Sequence, residues 1–300
     1  MVSQKKAEEA RSLLSIYGPE DAARKMGVSV ESILRYMRVE HRDERHKILL
    51  IDIETAPGLG YFWNPWQANI QPDQVANNWF MLGWSAKELF DSTTMSDIVT
   101  PEEAVARDDK RVVGSLWKEV NDADIIVGHN VKKFDLPMSN TRFLVHNMPP
   151  PLPYRVVDTR DILKRNFRFE HNRLDYVNRV LSLGRKLDTG GFQLWLSCMG
   201  GDKKALAEMQ KYNKNDVGIL EELYVTIRAW AKSHPPAGQY VEGDGTVCPV
   251  CGGKELGYGG YYYADVNRFL AYRCLNPKCG AICRAPAGSK KKNLLRSIAR

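Results

Sequence analysis

From Ile48 to Ile51 the chain is apolar without a break, after which acid and aliphatic positions alternate through Asp52, Ile53 and Glu54. A branched apolar run of this kind, entered from the polar stretch His41 to Lys47, predicts a central strand buried on both faces. Side chains two apart on a strand point the same way, so Asp52 and Glu54 are expected on one face at the strand's carboxyl end. The same patterning predicts a second strand over Trp79 to Ala86 beside the first. A helix follows over Pro101 to Val120, with Pro101 in its first turn and Ala104, Val105, Val112, Val113, Leu116 and Val120 as its apolar positions. Asp124 to Asn130 reads as a short strand ending in a turn, and a helix begins at Leu136 and Pro137 and runs to about Asn147. Val156 to Thr159 reads as another strand, Leu174 to Leu181 as a helix, and Lys204 to Trp230 as a long helical region.

Both ends of the chain have a different texture. Residues 4–16 are rich in helix formers, Glu20 to Met26 form a second short helix, and Val30 to Val39 a third with Ser29 as N-cap. A turn containing Gly27, with Ala22, Ala23 and Met26 as the packing face, gives residues 1–46 the look of a helix-turn-helix that presents Arg35, Tyr36 and Arg38. The plainer alternative is a small helical pack that docks on the next domain or on a partner. At the other end, Ser233 to Thr246 reads as a linker. Beyond it stand Cys248-Pro-Val-Cys251, a hairpin over Tyr258 to Tyr272, and Cys274 followed by Cys279. Two cysteine pairs across a hairpin predict a zinc ribbon over residues 247–285 with Cys248, Cys251, Cys274 and Cys279 as ligands. The second pair is more widely spaced than usual, so Cys283 stands as an alternative to Cys279. Tyr261, Tyr262, Tyr263, Arg268, Phe269 and Arg273, with Lys290 to Lys292 of the basic tail 286–300, mix rings and cations as nucleic-acid binders do; alternatively the tyrosines only pack the hairpin.

Composition narrows the class. The chain has 300 residues, 43% apolar and 26% charged, which describes a folded globular protein. No secretory signal is legible at the amino end and no apolar run is long enough for a membrane span, so a cytoplasmic protein with no membrane partner is expected. Five of the six cysteines fall between Cys248 and Cys283, a clustering that points to metal in a reducing compartment. The formal charge of +7 is uneven. Residues 1–46 carry about +1, 47–230 about −1 and 231–300 about +7, so a polyanionic partner is expected for the carboxyl end. Tyr154 to Lys186 adds a local basic band, which could track a phosphate backbone or be an ordinary solvated face.

Three short constellations carry the candidate chemistry. Two acids crowded at Asp52 and Glu54 suit a hard divalent cation such as Mg2+ or Mn2+, although such pairs also occur as solvated strand ends. Asp135 is expected near a helix start beside another strand's carboxyl end, where open sheets gather ligands, or else serves as an N-cap. Tyr212 and Asp216, one helical turn apart, lie on the same face of the long helix. The loop after Glu54 holds Tyr61, Phe62, Trp63 and Trp66, which could stack on unpaired bases or simply pack the loop down.

Together these residues resemble the DnaQ-like, or DEDD, 3'-to-5' exonucleases. Asp52-Ile-Glu54 resembles the first exonuclease motif, Asn130 to Phe134-Asp135 the second, and Tyr212 to Asp216 the third in its tyrosine form. The second motif, followed by Leu-Pro, is most similar to the proofreading domains of family B polymerases. The flanking modules resemble accessories of stand-alone exonucleases, some of them phage-encoded. The resemblance covers residues 47–232 and implies an α/β fold, a ribonuclease-H-like mixed sheet flanked by helices. It also implies two-metal hydrolysis of DNA from the 3' end to 5'-mononucleotides. Asp52, Glu54 and Asp216 would hold a first Mg2+ or Mn2+, Asp52 would bridge to a second supported by Asp135, and Tyr212 would orient the attacking water. Asn130, Phe134 and Thr55, with Arg35 and Arg38 of the amino-terminal module, are the expected substrate contacts. An exoribonuclease of the same fold, and a non-catalytic DNA-binding protein, remain the alternatives; oligomeric state is not legible.

Overall fold

The computed structural model describes residues 13, 19–30, 47–64, 66, 69–188, 190–232, 234–241, 245–264 and 267–290. Two compact units result. One comprises residues 1–46 with 240–242, the other residues 47–239 with 243–300. In the first unit, helix α1 (Pro19–Met26) buries Ala22 and Ala23 against Leu13, Met26 and Val28. The rest of the expected helix-turn-helix, including Arg35, Tyr36 and Arg38, lies outside the described residues.

The second unit is built on strand β1 (Ile48–Ala56). A two-stranded ribbon follows, β2 (Leu59–Gly60) with β3 (Val75–Asn77), and then β4 (Phe80–Glu88) and β5 (Met95–Ile98). Next come α2 (Pro101–Ala106), α3 (Lys110–Asp122), β6 (Ile125–Gly128), α4 (Asp135–Val145) and β7 (Arg155–Asp158). Helices α5 (Thr159–Asn166), α6 (Leu174–Val180), α7 (Gln193–Met199) and the long α8 (Lys203–Ile227) complete the larger part. The main sheet has the order β5-β4-β1-β6-β7, with β1 antiparallel to β4 and parallel to β6. It is an α/β domain with a five-stranded mixed sheet flanked by helices.

The burial of β1 follows from its parity. Leu49, Ile51 and Ile53 face a layer formed by Val112, Val113 and Leu116 of α3. Ile48 and Leu50 face the opposite layer, where Val217, Leu220 and Leu223 of α8 close the core. Asp52 and Glu54 continue the Ile48 and Leu50 parity, so they look toward the side covered by α8.

The helix expected over Pro101 to Val120 is broken in two. Arg107 adopts a left-handed conformation (φ 55°) after α2, which Thr100 starts with a reciprocal capping box. The break lets the Arg107 guanidinium bond the carbonyls of Pro57 (2.9 Å) and Asn78 (2.7 Å). It also sets Asp109, fully buried, ahead of α3. Its carboxylate accepts from Met81 N (2.7 Å) and Arg142 Nε (2.7 Å) and pairs with His146 (2.6 Å). Asp109 is thus satisfied on every side, as a buried charge must be.

The last part of the chain is a three-stranded sheet of β8 (Leu256–Ala264), β9 (Asn267–Cys274) and β10 (Ile282–Lys290) in the order β10-β9-β8. It rests on the end of α8. Arg228, just beyond that helix and fully buried, donates from Nε (3.1 Å) and Nη2 (2.6 Å) to the carbonyl of Lys278.

Candidate active site and zinc site

Asp52 and Glu54 arrive at the carboxyl end of β1 through strand alternation, and Asp216 arrives from α8. The carboxylate oxygens of these three lie within 4.8 Å of one another. A helical turn separates Asn213 from Asp216, and the Asn213 amide donates to Asp52 Oδ2 at 2.6 Å, so α8 is tied directly to β1. Asp135 stands differently. It is buried in the first turn of α4, with Phe134 rather than itself as N-cap, and its Oδ1 accepts the Ile53 N–H at 3.2 Å. That contact holds it beside the β1 backbone, close enough for its charge to act on Asp52 but not among the three carboxylates that lie within 4.8 Å of one another.

Withdrawal from solvent dominates the charge state of this group. Burial, then the charges of Asp135, Glu54 and Asp216, pushes Asp52 well above the ordinary carboxylate range. Burial and then Asp216 raise Glu54 to about 8, and burial raises Asp135 to about 7. Asp216 is raised by burial despite the opposing cation of Lys186. Four acids with one nearby cation are an incomplete arrangement, since like charges in low dielectric resist joint ionisation. Moreover Asp216 Oδ1 is buried without a hydrogen-bond partner. An orphaned carboxylate oxygen beside two further carboxylates is a donor set that suits a hard, oxygen-loving divalent cation.

Lys186 is the residue that sequence reasoning placed only within a basic band. Its ammonium bonds Asp216 and reaches Tyr212 Oη at 3.1 Å. Burial would lower its pKa, but the charge and hydrogen bond of Asp216 outweigh this and raise it. Tyr212, against the edge of Trp195 at 6.4 Å between ring centroids, is pushed to about 12, first by burial and then by Asp216. It therefore stays a neutral phenol.

The expected substrate residues are scattered around this floor. Thr55 lines a cleft of about 400 Å3 with Pro57, Gly191, Phe192 and Trp195, immediately beyond Glu54. Phe134 is partly exposed, at 40%. Asn130 has a left-handed backbone (φ 70°), a conformation asparagine tolerates, and is fixed by its N–H to Asp158 Oδ1 (2.9 Å) and by Arg160 to its Oδ1 (2.7 Å). Tyr61, Phe62, Trp63 and Trp66 are all exposed, Trp63 fully so. Burial against the loop is therefore not their role.

The sulfurs of Cys248, Cys251, Cys274 and Cys279 also lie within 4.8 Å of one another. Cys248 and Cys279 are 3.8 Å apart, and Cys251 and Cys274 are 3.6 Å apart. Bonds of about 2.3 Å to a tetrahedral zinc require sulfur separations of about 3.8 Å, so the set fits that ion. Cys283 stands apart with its thiol 3.6 Å from the Tyr272 carbonyl. Of the two candidates for fourth member of the cluster, the geometry selects Cys279. Hydrogen bonds from Cys251 and Cys279 pull the Cys248 thiol far down, while donating to Cys248 raises Cys251 to about 11.

A mixed five-stranded sheet with carboxylates gathered at the end of its central strand defines a nuclease of the ribonuclease-H-like fold. Residues 81–228 match the family model RNase_H_2 of the RNase_H superfamily, with Asp135, Tyr212 and Asp216 inside the matched span. No curated protein matches the sequence. Among solved structures, the family B DNA polymerase from the hyperthermophilic archaeon Pyrobaculum calidifontis is similar at 18% identity and a TM-score of 0.45. The match covers 67% of this chain and 28% of that one, so the chain spans little more than a quarter of the polymerase. Among the described residues no helix is long and apolar enough to cross a membrane.

Proposed function

We propose that the protein is a metal-dependent 3'-to-5' exonuclease that hydrolyses DNA to 5'-mononucleotides. The observation that carries the reading is the approach of Asp52, Glu54 and Asp216 within 4.8 Å around an orphaned Asp216 oxygen. Asp52, Glu54 and Asp216 would hold one Mg2+ or Mn2+, with Asp135 supporting a second. Bound there, the ions would supply an activated water and stabilise the charge on the attacking and leaving oxygens of the phosphodiester.

The chain's own groups do the rest. Tyr212, kept a neutral phenol by burial and by Asp216, can donate to or accept from the attacking water and so orient it, but offers no phenolate to act as base. Lys186, held cationic by Asp216, would meet the negative charge developing on the phosphate, and it fixes the Tyr212 hydroxyl. Asn213 keeps Asp52 in one orientation. The cleft of Thr55, Phe192 and Trp195 offers apolar walls for a terminal base, a reason to expect end-directed rather than internal cleavage.

The test is incubation of the purified chain with 3'-labelled and 5'-labelled single- and double-stranded DNA, and with matched RNA, in Mg2+ or Mn2+. A variant carrying Asp52→Ala and Glu54→Ala serves as control. Stepwise shortening from the 3' end, absent in the control, is expected, with DNA degraded faster than RNA. Binding without cleavage under every condition would refute the proposal.

A further inference from the structure

The carboxyl-terminal sheet has a face that its zinc site does not need. Strand β8 contains Tyr258, Tyr261 and Tyr263, and β9 places Tyr272, Leu270 and Arg268 opposite them in turn. Strict alternation would send Tyr258 and Tyr261 to opposite faces. A bulge between Tyr258 and Gly260 corrects the parity, and Gly260, at φ 89°, takes a conformation that a side chain would resist. The result is a row of three phenol rings on one face, with centroid separations of 6.1 Å and 6.3 Å. They are 64%, 45% and 69% exposed. Arg268 lies over the middle ring, its guanidinium carbon 4.4 Å from the Tyr261 centroid.

The reverse face is built differently. There Tyr262 and Phe269 pair with each other at 6.2 Å and Arg284 covers Phe269 at 4.0 Å, so those rings are already used. On the tyrosine face nothing among the described residues occupies the row.

We propose that Tyr258, Tyr261 and Tyr263, with Arg268, form a platform for single-stranded nucleic acid that is separate from the acid site. Successive bases have flat faces that stack on phenols regardless of sequence, and a guanidinium among the rings can meet the phosphates. The module's charge fits the same occupant, because residues 231–300 carry the whole basic excess of the chain. Position adds a length rule. Arg228, which anchors this sheet, lies twelve residues beyond Asp216 along α8 and its end. That is about 18 Å of helix between the acid site and the point where the ribbon is anchored, so a longer strand has more chance of engaging both places. The platform itself does not depend on the exonuclease reading; only the benefit of length to cleavage does.

The experiment measures binding by the full chain made silent with Asp52→Ala and Glu54→Ala. Fluorescence anisotropy is read with single-stranded oligonucleotides of about 5 and about 25 nucleotides. Adding Tyr261→Ala and Tyr263→Ala is expected to weaken the long oligonucleotide at least about tenfold. Tyr262→Ala, on the reverse face, is expected to change neither by more than about twofold, each variant retaining its zinc. Unchanged affinity for the long oligonucleotide, or an equal loss from Tyr262→Ala, would overturn the proposal. Photo-crosslinking of the unaltered chain to a halogenated oligonucleotide gives a second readout. Adducts within residues 256–274 are expected, and adducts confined to the acid-site domain would overturn it as well. Because no turnover is read, absence of nuclease activity would leave this result standing.

Discussion

The side-chain amide of Asn213 lies 2.6 Å from Asp52 Oδ2, joining the middle of α8 to the end of β1. The contact fixes one carboxylate oxygen and leaves the other for a cation. Removing an orienting partner of a ligating carboxylate usually costs tenfold to a hundredfold in metal affinity or activity. Asn213→Ala is therefore expected to raise the Mg2+ or Mn2+ concentration needed for half-maximal cleavage by about 10- to 100-fold while leaving zinc content unchanged. A titration of activity against metal concentration checks it; an unaltered midpoint would remove Asn213 from the site.

Glu54 illustrates a site whose chemistry opposes its stability. Its carboxyl is raised to about 8 by burial and by Asp216, which means that ionising it costs the folded state. Glu54→Gln removes that charge with little change of shape. The expected outcome is loss of cleavage together with a gain of a few degrees in Tm in buffer free of divalent cations, measured at about pH 8. A fall in Tm instead would show that the carboxylate is stabilised by something other than a metal.

The same groups set a pH dependence. Glu54 rises from 4.5 to about 8 and Asp135 from 3.8 to about 7. Between those limits the folded protein binds more protons than the unfolded one, so stability declines as pH increases. Their stabilising contribution is complete at acid pH, below the unfolded values, and is lost as pH rises through 7 and 8. In buffer that retains zinc but lacks Mg2+, Tm is expected to drop steadily from pH 5 to pH 9, about the range these values define. Adding Mg2+ at the alkaline end should restore it, since a bound cation replaces the missing protons. Calorimetry across that range, with and without Mg2+, provides the check.

The residues behind these effects are unequally visible in the sequence. The β1 strand was legible because four branched apolar residues leading into alternating positions predict a buried strand, whereas its two acids read equally as a solvated strand end until the other motifs joined them. One helical turn of spacing puts Tyr212 and Asp216 on the same face, but it was the resemblance of the three motifs together that marked the pair out. Lys186 was not, because nothing local distinguishes it from its basic neighbours and its role arises only when α8 folds beside it. The break at Arg107 escaped because apolar spacing continues across it, and what ends α2 is the demand of Asp109 for buried donors on β4 and α4. Strand β5, with Ser96 and Asp97 in its middle, is an edge strand whose residues are only half-buried. Helix α5 has the charged sequence TRDILKRN and shows its apolar face at only Ile162 and Leu163. Strand β10 was masked by Pro286 and Gly288, which its irregular register with β9 accommodates.

Asp109 and Arg142 give a purely structural prediction. The carboxylate is fully buried and accepts from two nitrogens of Arg142, with Met81 N and His146 completing its shell. Asp109→Ala would leave the guanidinium buried without its partner, a loss of about 3–5 kcal/mol. Because this cluster joins β4, α3 and α4, the whole domain should unfold earlier, with a denaturant midpoint lowered and the m-value unchanged. Urea unfolding followed by tryptophan fluorescence reads both quantities.

The four-cysteine module is held to the larger domain through one buried arginine. Arg228 is fully buried, and its two hydrogen bonds end on the Lys278 carbonyl, inside the loop between Cys274 and Cys279. Phe90, at the turn after β4, is met by both cations, 5.5 Å from the Arg228 guanidinium carbon and 4.8 Å from Lys278 Nζ. The loop keeps its shape only while the four sulfurs are gathered, so loss of zinc removes the acceptor on which Arg228 depends. A buried guanidinium left without acceptors costs more than the bonds it made, so zinc chelation should lower the Tm of the nuclease domain as well as unfold the ribbon. In Arg228→Ala the two events separate. The ribbon keeps its zinc, the domain is weakened by about 2 kcal/mol, and chelation then lowers its Tm much less than in the unaltered chain. Calorimetry of both proteins before and after chelation makes the comparison, and an equal shift in the two would show that Arg228 does not carry the coupling.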